Sequence, residues 1–140
     1  MSDILLNGLK PRSDEGKEFF LHSSDNWVEI LEVITALTDY IVPVENYMWR
    51  DSWLALPTPH LDGRWAFIVS LQIERILKEG TAAEHLEHYY RSDPNLIDYF
   101  EGDEEHMADN IKERLQQLDE LAIFLGSSGG CRAKWSYEDA

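Results

Sequence analysis

Five histidines, at positions 22, 60, 85, 88 and 106, are the residues of this chain best suited to hold a metal or move a proton near neutral pH. The tightest group is Glu84-His85-Leu86-Glu87-His88. Residues three apart on a helix share a face, so His85 and His88 are placed to bind one ion. The familiar helical zinc motif H-E-x-x-H sets its histidines four apart with Glu beside the first, and it is absent. His106, beside Glu104 and Glu105, completes a site only where two helices converge. The simpler reading of His85 and His88 is a solvated polar helix face.

Acids offer a second kind of chemistry. Over residues 98–113, Asp98, Glu101, Asp103, Glu104, Glu105, Asp109 and Glu113 face a single base, Lys112. A calcium loop needs oxygen ligands at alternate positions, a central Gly and a terminal Glu, and Glu101-Gly102-Asp103 does not fit that register. Much of the run charges the start of a helix, where acids favour the dipole. The other reading is a displayed acidic stripe made for a basic partner.

Nucleophile chemistry has less support. The lone Cys131 follows two glycines with no histidine nearby, which suits a half-buried strand cysteine. Ser127-Ser128-Gly129-Gly130 lacks the G-x-S-x-G form and follows a helix, whereas a nucleophile elbow follows a strand. Neither G-x-G-x-x-G nor G-x-x-x-x-G-K-[ST] occurs, so no nucleotide loop is expected. Trp49, Arg50, Trp53 and Trp65 cluster in one irregular stretch with Tyr47. They either pack that stretch onto the core or form a binding or dimerisation surface, where exposed Trp and Arg serve as anchors.

The elements that must position these residues are mostly helical. Trp27, Ile30, Leu31, Ile34, Leu37 and Ile41 recur at helical spacing, which predicts a helix over about 26–42, opened by Asn26 and Glu29 as a capping box and ended by Pro43. Residues 43–64, with three prolines and Asp62-Gly63, read as a structured but irregular connection, either a functional loop or one that hides a short helix at 47–53. Arg64 to Val69 reads as a strand, or as a helix starting as early as Trp65; the helical pattern then runs to Gly80. Thr81 and Glu84 resemble a capping box for a helix to about Arg91, and Asp93-Pro94 opens a short one. Met107, Ile111, Leu115, Leu118, Ala122 and Leu125 form one apolar stripe that Gly126 stops. At the two ends, Asp3-Ile4-Leu5-Leu6 and the segment after Gly130 read as strands that meet.

Length and composition bound the rest. A chain of 140 residues is one domain, 1–140, that buries roughly 68% of its unfolded surface. The 27 acids and 12 bases leave a net charge of −15, which disfavours direct binding to nucleic-acid backbones and anionic membranes. No long apolar run and no basic leader are present, and one cysteine suits a reducing cytoplasm.

Gly8-x-x-Pro11-x-x-x-x-Gly16-x-x-Phe19, Asn26-Trp27, Asp62-Gly63 and Phe124-Leu125-x-Ser127-x-Gly129-Gly130 together resemble a family of small uncharacterised bacterial and phage-borne proteins. Its members tend to read G-x-x-P-x-x-x-x-G-x-Y-F-R-x-N near the start and F-L-x-x-S-G-G-F-x-I at the end. Here Leu21 and His22 follow the aromatic pair, Ser128 is an extra serine, and Cys131 replaces the Phe after the glycines. The resemblance implies no catalytic residue. It implies one domain whose two ends form a structural unit, in a phage or mobile-element setting.

The expectation is therefore a mainly α domain of four to five helices with a small β element pairing the two ends. Its expected role is non-catalytic: an acidic, cytoplasmic binder or inhibitor of a basic, nucleic-acid-handling protein, without cofactor. Residues Asp98, Glu101, Asp103, Glu104, Glu105, Asp109, Trp49, Arg50 and Trp53 are its candidate surface. The alternative is a metal-binding or enzymatic domain using His85, His88 and His106.

Overall fold

The computed structural model describes residues 2–38, 60–100 and 102–137. Among the described residues four strands and five helices follow in the order β1 (Ser2–Gly8), β2 (Glu18–Leu21), α1 (Ser24–Leu37), β3 (His60–Asp62), α2 (Gly63–Glu79), α3 (Thr81–Ser92), α4 (Pro94–Phe100), α5 (Glu104–Ser127) and β4 (Gly130–Tyr137). The strands form one antiparallel sheet in the order β2-β1-β4-β3. The two ends do pair, from Ser2 opposite Tyr137 to Gly8 opposite Cys131. No described helix is long and apolar enough to cross a membrane.

Side chains alternate across a strand, and that period decides which sheet face is covered. Ile4, Leu6, Phe19, Leu21, Leu61 and Cys131 are buried, whereas Glu18, Phe20 and Arg132 are exposed. The helices cover the first set, with Phe19 of β2 against Phe124 of α5 at a centroid distance of 6.1 Å. Trp27, Ile30 and Val33 of α1 and Ala66, Val69, Ile73 and Ile76 of α2 complete the core. Trp27 is thus the core residue its helical spacing predicts.

Helices α2 and α5 cross closely because their contact is built from small residues. The Ser70 hydroxyl donates to the Ala122 carbonyl at 2.8 Å, and a side chain on Gly126 would meet Ser70 Oγ at 3.0 Å. Gly126 therefore serves helix packing and does not stop the helix, which runs on to Ser127. The stop comes at Gly129 and Gly130, whose φ angles of 66° and 100° favour glycine strongly. Close approach fixes Gly8 and Gly16 as well: a Cβ on Gly8 would lie 1.9 Å from the Gly16 carbonyl oxygen, and one on Gly16 2.1 Å from that of Ser127. The spaced glycines of the two chain ends pack on one another.

Several boundaries differ from the sequence expectation. Helix α1 begins at Ser24 and ends at Leu37; Ser23 caps it by accepting from the Asp25 N–H, while Asn26 lies inside and bonds the His22 carbonyl. Of the two readings of 64–69, the helix is correct and starts at Gly63, because Asp62 accepts from the Trp65 N–H and caps it. Thr81 is no cap. Gly80, at φ 81°, closes α2 and opens α3, and the Thr81 hydroxyl donates to Ile76. The Asp93 cap of α4 is present, accepting from the Asn95 N–H at 2.9 Å. The expected short helix near 47–53 and the Pro43 stop lie outside the described residues.

Two consequences are measurable. Leu118 is fully buried, so Leu118→Ala is expected to cost about 2–5 kcal/mol in urea unfolding. A cost typical of exposed sites would place that helix face outside the core. Burial also pushes the Cys131 thiol up to about 12 from its ordinary value of 9.0. The neutral thiol is the form that suits the fold. Its contribution is therefore complete below pH 9.0, and stability falls between there and about 12. In the native protein at pH 8 (one unit below that 9.0), Cys131 is expected to resist alkylation until the chain unfolds; rapid labelling would contradict its burial.

Candidate partner-binding face

The acids of residues 98–113 are divided between structural and displayed roles by two helix starts. Pro94, with φ preset, opens α4, and the chain leaves it through Gly102 at φ 75°. Asp103 then caps α5 by accepting from the His106 N–H at 2.9 Å. Glu104 takes two bonds from Arg91 of α3, at 3.1 and 2.7 Å, and these hold its carboxyl below the usual range. Asp103 and Glu104 are thus engaged in the corner itself.

Asp98, Glu105 and Asp109 are not consumed in this way, and all three are exposed. Glu105, Asp109 and Glu113, spaced by four, share one face of α5. Beside them α4 exposes Ile97 and Tyr99, at 46% and 62% of their surface. Tyr99 is braced by Phe100 at 5.1 Å and His106 at 5.3 Å between ring centroids. A cleft of about 220 Å³ opens on the Ile97 side, walled by Phe100, Met107 and the Arg91–Glu104 pair. Another of about 420 Å³ opens on the Tyr99 side, reaching Tyr89, Glu29 and Arg114. The corner is an apolar ridge with recesses on both sides and carboxylates at its edge, the layout of an interface anchor with a polar rim.

The other expected site residues distribute differently. Glu101, Trp49, Arg50 and Trp53 lie outside the described residues, and Trp65 is half-buried against the core. His85 faces α1, with Nε2 3.9 Å from Glu32 Oε1. His88 is exposed and meets Ser92 Oγ at 3.3 Å, while His106 lies against Phe100. The fold does not bring the three histidines together, and among the described residues no three His, Cys, Asp or Glu side chains converge on a metal position.

One polar cluster went unread in the sequence. Arg114 Nε donates to Glu29 Oε1 at 3.1 Å; the Tyr90 hydroxyl donates to the same oxygen at 2.5 Å, and Asn110 Nδ2 donates to Tyr90 at 2.8 Å. Arg114 also bonds Gln117. Burial, then the bond to Glu29, raises the Tyr90 phenol well above its ordinary range, so it stays neutral. This chain of bonds ties α1, α3 and α5 under the exposed corner. The available signal was Arg114 standing three residues after Ile111 and four before Leu118, on the apolar side of α5.

Comparison with known proteins finds no matching family model, no matching curated protein and no matching solved structure.

Proposed function

We propose that this chain is a non-catalytic interaction protein whose α4–α5 corner binds a basic protein, one that handles nucleic acid, and thereby inhibits it. The phage or mobile-element setting implied by the resemblance suits such a role. The observation that carries the reading is the exposure of Asp98, Glu105 and Asp109 around Ile97 and Tyr99, in a chain of net charge −15. Charge of this sign steers a basic partner toward the face and raises its association rate, while the apolar ridge supplies the buried contact. The test is affinity capture from the native host lysate with elution along a salt gradient. A basic protein released at moderate salt is expected, because a Debye length of about 8 Å at physiological salt shrinks as salt rises. A partner held equally at low and high salt would argue against the reading.

A further inference from the structure

We propose that the cleft between the chain ends and α2 is a second site, which binds a small organic phosphate: a phosphate monoester on an apolar or aromatic body. The cleft is independent of the α4–α5 corner. It has a volume of about 750 Å³ and is lined by Lys10, Arg12 and Arg64. In a chain with 27 acids and 12 bases, a cation has many carboxylates to pair with. Lys17, Arg75, Arg91 and Arg114 are paired in that way, whereas Lys78, Lys112 and Arg132, on other parts of the surface, have no ion pair among the described residues. Lys10, Arg12 and Arg64 have no ion pair among the described residues, and all three are exposed. Among the described residues one acid, Asp62, lines the cleft, and it accepts from the Trp65 N–H at 3.0 Å as the α2 cap.

The backbone holds this arrangement in place. Leu9 N–H donates to the Gly130 carbonyl at 2.8 Å, Lys10 N–H to Ser128 at 3.0 Å and Arg12 N–H to Ser127 at 2.8 Å. The segment carrying two of the cations is therefore strapped to the end of α5. A Cβ on Gly129 would lie 2.4 Å from the Lys10 carbonyl oxygen, and one on Gly63 2.9 Å from that of Gly129, so glycine is what lets these walls close. The third cation, Arg64, projects from the first turn of α2, where the helix field is also positive.

Three cations on a fixed frame match a phosphate monoester, which carries about −1.5 to −2 charges and three acceptor oxygens at neutral pH. Arginine forks bind such a group through paired charge-assisted bonds. The apolar half of the ligand is assigned to Leu9 and Phe67, which stand exposed in the same cleft at 43% and 49%. The net charge of the whole chain opposes an anion at long range, yet beyond about 8 Å that field is screened at physiological salt.

The test uses the full chain, labelled with ¹⁵N, and phenyl phosphate as probe. Phenyl phosphate is expected to bind and to shift the amides of Gly63 and Gly129. Inorganic phosphate is expected to bind more weakly, and phenol not to bind. Arg12→Gln and Arg64→Gln, both at exposed positions, should each weaken binding about tenfold with the fold unchanged, as loss of a charge-assisted bond does. Lys112→Gln, outside the cleft, should leave it as it was. No shift with phenyl phosphate, or binding by both arginine variants as tight as by the wild-type protein, would overturn the proposal. Equal binding of inorganic and phenyl phosphate would overturn the assigned apolar half.

Discussion

A chain lacking residues 131–140 is expected to lose cooperative unfolding altogether. Strand β4 is interior: it pairs with β1 from Ser2 to Gly8 on one side and with β3 from His60 to Asp62 on the other. Without it β1 and β2 remain as a two-stranded hairpin, which is marginal in water. Ile4, Leu6 and Leu61, all fully buried, lose cover worth about 1.5–3 kcal/mol each. That sum is a large part of the roughly 5–15 kcal/mol that holds a domain folded. Near-ultraviolet circular dichroism on heating checks the expectation. A truncated chain that melts at the wild-type temperature would show that the terminal strand carries none of the fold.

Arg114→Ala is expected to cost about 3–5 kcal/mol, because it leaves the Glu29 carboxylate inside the protein without its counter-charge. Arg114 and Glu29 expose only 5% and 16% of their side chains, so solvent entering by the neighbouring cleft replaces only part of the missing bond. The Tyr90 hydroxyl would still donate to Glu29, yet it brings no charge. The paired variant Glu29→Gln with Arg114→Met removes both charges together and should recover much of the loss. Urea unfolding of the two single variants and the double one measures this coupling directly. A loss within the roughly 0–1 kcal/mol of a surface pair would mean that the bridge is solvated.

How far these features were legible depended on their range along the chain. Helix α5, the Asp93 cap and the Gly80 stop could be read, because periodicity and glycine act locally. The meeting of the two ends spans the whole chain and followed only by inference from a strand-like segment at each end. Strand β2 could not: four residues, Glu18 to Leu21, are too few to display a period. The stripe of α5 was read slightly off its true axis. Ile111 and Leu115 are half-buried, whereas Leu121, Phe124 and Arg114 face the interior. A guanidinium on an apolar face signals a buried carboxylate partner, but nothing local names Glu29 as that partner.

The same limit divides the candidate sites. Asp103 announces its cap role through its place before α5, while the pairing of Glu104 with Arg91 spans 13 residues and a turn. Lys10 and Arg12 line one cleft with Arg64 only because the glycine-lined ends close against α2. The division of the acidic run is equally a product of the fold. Local sequence shows seven acids, and only the helix starts decide which of them are engaged in a cap or an ion pair.

The most direct test of the account is to repeat the affinity capture with the charge of the corner reversed, as the triple variant Asp98→Lys, Glu105→Lys, Asp109→Lys. All three positions are exposed, so the variant should fold, and its melting curve verifies that. The account predicts that the wild-type protein retains a basic partner, released as salt rises, and that the reversed face retains none of it. The same partner held equally by both proteins would contradict the assignment of the α4–α5 corner.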